Sequence, residues 1–260
     1  MKQLLIIALG FIIGFTTSCQ SEGQEAEEAA VVEENAKKDN YTNEKGEKVD
    51  LSGNTKEQLD GLRKIVPNKA EVTEIQESYQ KYKAAILESN GQNAFESIDQ
   101  TSTDHYKKLL DWALNGSKSK IESLDPVDMF MVLSVRKRVD KNELKKMSGK
   151  DLFIYTIENE WTNKGTVSKT ELGEIQKRGE NTARAPMSVN MANTNTFVEF
   201  TRVDKDAEWR MNLISLSQNV NGQLIRMAGD RNKTESELVI DMIKQITNSE
   251  VGEDIWDPIN

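Results

Sequence analysis

Apolar residues recur at three- and four-residue spacing along the first half of the chain, at two-residue spacing in the middle, and at helical spacing again near the end. Helices, then strands, then helices are therefore predicted. Val72, Ile75, Tyr79, Tyr82 and Ile86 fall on one helix face, and Asn90-Gly91 reads as the end of that helix. A short segment with Phe95 and Ile98 follows. Thr103 reads as the N-cap of a helix over 105–114, which places His105 in its exposed first turn. Asp125-Pro126 opens another helix that buries Val127, Phe130, Met131 and Val135. Ser148 and Asp151 have capping-box spacing, which tips the apolar stretch 152–161 toward helix. Residues 170–177, 182–189, 196–203 and 208–217 are β-rich segments separated by turn residues, and 202–211 reads as strand, polar turn, strand. Thr234 and Glu237 form a second capping box ahead of Leu238, Val239, Met242, Ile243 and Ile246. The terminus, with Ile255 and Trp256, is apolar enough to dock.

Helices followed by a run of antiparallel strands give an α+β fold class. Residues 67–260 are long enough for one such domain with a sizeable core. Residues 19–66 differ. The stretch 20–50 is rich in Glu and poor in aromatic and branched residues, so it cannot bury enough apolar surface to offset the entropy of ordering. It is predicted to be an acidic flexible tether, with an r.m.s. reach of roughly 35–40 Å for about 45 residues.

The first eighteen residues carry Lys2, an apolar run from Leu4 to Phe15 and small residues before Cys19, the single cysteine. The run is shorter than the ~20 residues of a membrane-spanning helix and has the form of a secretory signal. With cysteine directly after Thr16-Thr17-Ser18, the segment resembles a bacterial lipoprotein signal, although Thr16 stands where leucine is usual. That resemblance implies cleavage before Cys19, acylation of Cys19 (palmitate among the chains), and attachment to a membrane through lipid. Gln20, rather than Asp, follows the cysteine, which favours the outer membrane of a Gram-negative envelope, in either leaflet. Glu22, Glu25, Glu27 and Glu28 also resemble, loosely, an acidic surface-export signal; a plain solvated linker reads equally well.

The formal charge of −9, from 43 acidic and 34 basic residues, argues against nucleic acid as a partner, because such binding rests on clustered cations. With one cysteine, thiolate zinc sites and internal disulfides are excluded, and one histidine leaves no His-based metal site. No glycine-rich phosphate loop or nucleophile elbow occurs, so no cofactor is expected. Asp204, Asp206 and Glu208 lack the glycine and distal glutamate of a calcium loop and read as a solvated turn. Arg136-Lys137-Arg138 reads as a solvated helix C-terminus. His105 lacks an evident partner for acid–base work. Tyr79, Tyr82, Trp112, Tyr155, Trp161, Trp209 and Trp256 are candidates for pocket walls, with core the more common use of such side chains.

Three segments, Tyr79-Gln80-Lys81-Tyr82, Leu172-Gly173-Glu174-Ile175 with Glu180-Asn181-Thr182-Ala183, and Asp206-Ala207-Glu208-Trp209-Arg210-Met211-Asn212-Leu213, resemble nuclear transport factor 2-like domains over residues 71–216. The resemblance implies helices covering a strongly curved antiparallel sheet, a cone. The helical insert at 117–147 and the helical tail after Gln218 depart from the minimal cone. Cone domains serve as enzymes, ligand carriers and docking modules, and no catalytic residue transfers to this chain. The expectation is a lipid-anchored envelope protein with a non-enzymatic domain that binds a protein or small ligand. The alternatives are a cone-fold acid–base enzyme for a small apolar substrate, or an immunity- or assembly-type lipoprotein.

Overall fold

This computed structural model describes residues 40–42, 48–50 and 67–259. Leader and Cys19 lie outside the described residues, as does most of the tether. Two short strands, β1 (Asn40–Thr42) and β2 (Lys48–Asp50), pair antiparallel within the stretch expected to be unstructured throughout.

Helix α1 (Lys69–Leu87) begins at a reciprocal cap: Asn68 Oδ1 accepts from the Glu71 N–H at 2.9 Å, and Glu71 Oε2 accepts from the Asn68 N–H at 3.2 Å. Ile75, Tyr79, Tyr82 and Ile86 are buried on the predicted face. The helix stops before Asn90-Gly91, with Ser89 at φ 53°, and Asn90 instead caps the following helix α2 (Gly91–Glu96). Gly91 is needed there because a Cβ would lie 2.7–2.9 Å from Ile154 atoms, backbone included.

Helix α3 (Gln100–Asn115) starts at Asp99 rather than Thr103. Asp99 accepts from the Ser102 N–H at 2.8 Å and the Ser102 hydroxyl at 2.6 Å, while its own N–H donates to the Met211 carbonyl at 3.0 Å. The strand contact fixes the cap, and local sequence does not show it. His105 consequently lies well inside the helix.

After the short helix α4 (Lys118–Glu122) comes α5 (Pro126–Arg138), with proline in its first turn. The Asp125 side chain makes no cap bond; Asn221 Oδ1 accepts from the Val127 N–H at 2.9 Å instead. Helix α5 is buried nearly all round, through Met129, Val132 and Leu133 as well as the predicted residues, because α3 and both C-terminal helices surround it. Two further helices, α6 (Lys141–Leu144) and α7 (Gly149–Glu158), follow, the latter carrying the predicted Ser148–Asp151 capping box, and α8 (Lys164–Val167) leads into the sheet.

The sheet contains β3 (Thr170–Leu172), β4 (Gln176–Lys177), β5 (Thr182–Val189), β6 (Ala192–Thr201) and β7 (Arg210–Asn212). It is curled and antiparallel, in the order β3-β5-β6-β7, with β4 also on β5. The predicted strand at 170–177 is thus two short pieces broken at Gly173, where a Cβ would lie 2.8 Å from Pro186. The last predicted strand shrinks to three residues, because Asn212 Oδ1 accepts from the Ile214 and Ser215 N–H groups and starts helix α9 (Ile214–Asp230). Helix α10 (Glu235–Thr247) uses the predicted Thr234–Glu237 box. The final segment docks: the Ile259 N–H donates to the Leu114 carbonyl at 2.8 Å, and Ile255 and Trp256 are buried.

The architecture is therefore α+β: helices, a curled antiparallel sheet, and a helical C-terminal extension. One sheet face carries Ala183, Ala185, Met187, Val198, Phe200 and Met211 into the same apolar core as the helices. The other face carries Arg184, Phe197, Glu199 and Asn212 outward.

Candidate functional site

The sheet face turned to the core is filled by side chains. Tyr79 and Tyr82 are fully buried, Trp209 and Trp161 nearly so, and Trp112 and Tyr155 are half-buried at the edge of the same core. Tyr79 donates to the Thr170 hydroxyl at 2.6 Å, and Thr170 donates on to the Val167 carbonyl at 2.7 Å. Burial pushes the Tyr79 hydroxyl up to about 12, opposed by the Thr170 hydrogen bond and helped by the charge of Glu171. Burial raises Tyr82 and Tyr106 as well. These phenols are moved away from neutrality, opposite to what a general base needs.

A hollow of about 240 Å³ opens on the other face of the sheet. Its walls come from Thr101 at the start of α3, Arg184 on β5, Phe197 and Glu199 on β6, Asn212 on β7, and Ile214, Ser215 and Gln218 of α9. Strand alternation explains the lining: Thr196, Val198 and Phe200 point into the core, so Phe197 and Glu199 point out. Ser215 braces the site, donating to the Asn212 carbonyl at 2.6 Å and accepting from the Glu199 N–H at 3.0 Å. Asp99 holds the far side, accepting from the Thr201 hydroxyl at 3.2 Å, while Ser102 accepts from the Leu213 N–H at 2.8 Å. The Arg184 guanidinium lies over the Phe197 ring, 4.9 Å from its centroid. None of the seven aromatics singled out in the sequence lines this hollow, and none of its lining residues was named there as a site candidate. The legible signal was Phe197 itself, an aromatic out of phase with the inward positions of its strand.

Charged residues elsewhere serve the fold. Glu71 accepts from Lys177 at 2.8 Å and Arg202 at 2.9 Å, all three side chains nearly buried. Burial alone would raise the Glu71 carboxyl, but the Lys177 and Asn68 hydrogen bonds and the two cations outweigh it and hold the group below its ordinary range. Arg202 also lies 4.5 Å from the centroid of Trp209. Arg136, expected to be solvated, is buried. It donates to the carbonyls of Trp112, Ala113 and Gly116, which close α3, and to that of Ile255 in the docked tail. The carbonyls left over at a helix end draw this cation inward. Its neighbour Arg138 stacks on Trp161, 4.0 Å from the centroid.

His105 does have a partner: its Nε2 lies 2.9 Å from Asp128 Oδ1, across from α3 to α5, and its ring meets Trp112 edge-on. A histidine oriented by a carboxylate is half of an acid–base arrangement, but neither residue lines the hollow. Among the described residues no cluster of three or more His, Cys, Asp or Glu side chains is placed to hold a metal, and no helix is long and apolar enough to cross a membrane. Asp204 accepts from the Asp206 N–H at 3.0 Å within its own exposed turn. Compared with protein-family models, with curated proteins and with solved structures, the chain matches none.

Proposed function

We propose that this is a lipid-anchored cell-envelope protein whose α+β domain, of the nuclear transport factor 2-like cone type, binds a small polar ligand without chemical turnover. The observation that carries the binding half is the division of the sheet: one face filled by core side chains, the other bearing a hollow of about 240 Å³ with Arg184, Glu199, Asn212 and Gln218 on its walls. The enzyme reading needs a carboxylate or tyrosine held near neutrality inside an apolar cavity. The core tyrosines are shifted away from neutrality and Glu71 is tied to two cations. The anchor rests on Cys19 and the apolar run before it. At about 0.8 kcal/mol per buried CH2, two or more acyl chains hold a protein stably on a membrane. A docking role for a protein partner is the second reading, favoured by Met191 and Val203, 89% and 86% exposed at two hairpin turns.

Both halves are testable. In a Gram-negative host, an alkynyl palmitate probe labels the wild-type chain and leaves Cys19→Ala unlabelled; a labelled Cys19→Ala, or an unlabelled wild type, refutes the anchor. For the hollow, a screen of polar metabolites of amino-acid and monosaccharide size against the full-length chain yields saturable binding that Gln218→Trp, which fills the hollow, abolishes. Equal binding by that variant moves the site elsewhere, and turnover lost on a single Asp or Tyr substitution makes the protein an enzyme.

A further inference from the structure

We propose that the hollow recognises a zwitterion, a free α-amino acid with an apolar side chain; this deepens the binding reading above and rests on it. The starting observation is a charge pair that does not form. Arg184 and Glu199 are directly opposite each other in the β5–β6 register, on the outward face, where opposite charges ordinarily meet. No ion pair joins them. Phe197, diagonal to Arg184, draws the guanidinium onto its ring, and Arg184 Nε reaches toward Gln176 Oε1 at 3.5 Å. The Glu199 carboxylate has no hydrogen-bond or ion-pair partner among the described residues, while its backbone N–H donates to the Ser215 hydroxyl. A cation and an anion thus stand open on one wall of a small hollow.

The chemistry of the ligand follows from what each class would leave behind. A neutral polyol would take water from both charges and return hydrogen bonds but no counter-charge to either. A simple carboxylate would strand Glu199, and a simple amine would strand Arg184. A ligand bearing carboxylate and ammonium on one carbon satisfies both at once. Neutral groups remain to complete the contacts: the Asn212 amide nitrogen, whose oxygen is already used at the α9 cap, the Gln218 amide and the Thr101 hydroxyl. Phe197 and Ile214 supply an apolar wall for a side chain, and about 240 Å³ accommodates a head group with a side chain of moderate size. Discrimination in such a site comes from the unpaired charge that each wrong ligand leaves.

The test is titration calorimetry of the full-length chain with four probes: L-leucine, N-acetyl-L-leucine, which lacks the ammonium, L-leucinamide, which lacks the carboxylate, and D-glucose. L-leucine is expected to bind saturably and each analogue roughly ten-fold to a hundred-fold more weakly, with glucose not binding. Glu199→Gln should weaken L-leucine and narrow its advantage over the acetylated analogue, and Arg184→Gln should narrow its advantage over the amide. Both residues are at the surface, so these variants keep the fold, which circular dichroism checks. No binding of L-leucine overturns the proposal, as does binding of either analogue or of glucose as tightly as leucine. If glucose or an analogue binds and Gln218→Trp abolishes it, the zwitterion falls while the hollow stands as a ligand site. If whatever binds is indifferent to Gln218→Trp, the hollow itself is not the site.

Discussion

Two buried charged residues connect parts of the chain that no local pattern links. Glu71 joins the first turn of α1 to β4 and to the end of the β6 region through Lys177 and Arg202, all three side chains between 6% and 11% exposed. Glu71→Gln leaves two cations in this cluster without a counter-charge and should cost about 3 kcal/mol, the low end for breaking a buried ion pair. The carboxyl is held below its ordinary 4.5. Because the folded-state value is depressed, the stability it contributes is present above the unfolded-state value and lost as pH falls through the folded one. Urea midpoints of wild type and Glu71→Gln should therefore differ at neutral pH and converge in acid; a constant difference across pH contradicts the assignment. Arg136 holds the C-terminal carbonyls of α3 and the tail together. Arg136→Met keeps the bulk of the side chain and removes the donors. It should lower stability by roughly 2–4 kcal/mol, with amide exchange quickening first over 253–259, where the tail loses its tie. Unchanged exchange there would separate Arg136 from tail docking.

At the scale of elements, helices approach where side chains are absent. Gly91 of α2 lies against the Ile154 backbone of α7, and Gly149 at the start of α7 lies against the Lys107 backbone of α3. Gly91→Ala places a methyl within 2.8 Å of the Ile154 carbonyl oxygen, so the helices must part. A loss of about 1–3 kcal/mol in thermal or urea unfolding is expected; a neutral Gly91→Ala would mean that α2 moves freely on α7. These approaches were not readable from sequence, since a glycine inside a helical pattern looks like a breaker. What was readable were features governed by near neighbours. The three-and-four spacing on α1, the boxes at Ser148–Asp151 and Thr234–Glu237, and the alternation over Thr182–Val189 all appear in the structure. The errors arose where a distant segment decides. Asp99 displaces Thr103 as a cap because Met211 holds its backbone, and Asn212 turns the end of a predicted strand into the start of α9. The same limit hid the site. Its lining comes from α3, three strands and α9, and only the outward phase of Phe197 hinted at it.

For the molecule as a whole, the domain has a packed interior and a hollow on its outer sheet face, and the proposed acylation of Cys19 would tie it to a membrane through an acidic stretch. The whole chain's formal charge of −9 would keep the domain off an anionic lipid surface if the proposed anchor holds it nearby. Helix α3 and the two C-terminal helices surround α5, while Arg184, Phe197 and Glu199 lie on the opposite side of the sheet from the core. The central claim is that ligands are received on this outer face and not inside. It is tested most directly by amide-resolved NMR of the isotopically labelled full-length chain during titration with an equimolar mixture of the twenty amino acids. The account predicts saturable shifts confined to Thr101, Arg184, Phe197, Glu199 and the amides from Asn212 to Gln218. Shifts centred on Tyr79, Tyr82, Met187 and Phe200, or no shifts at all, would contradict it.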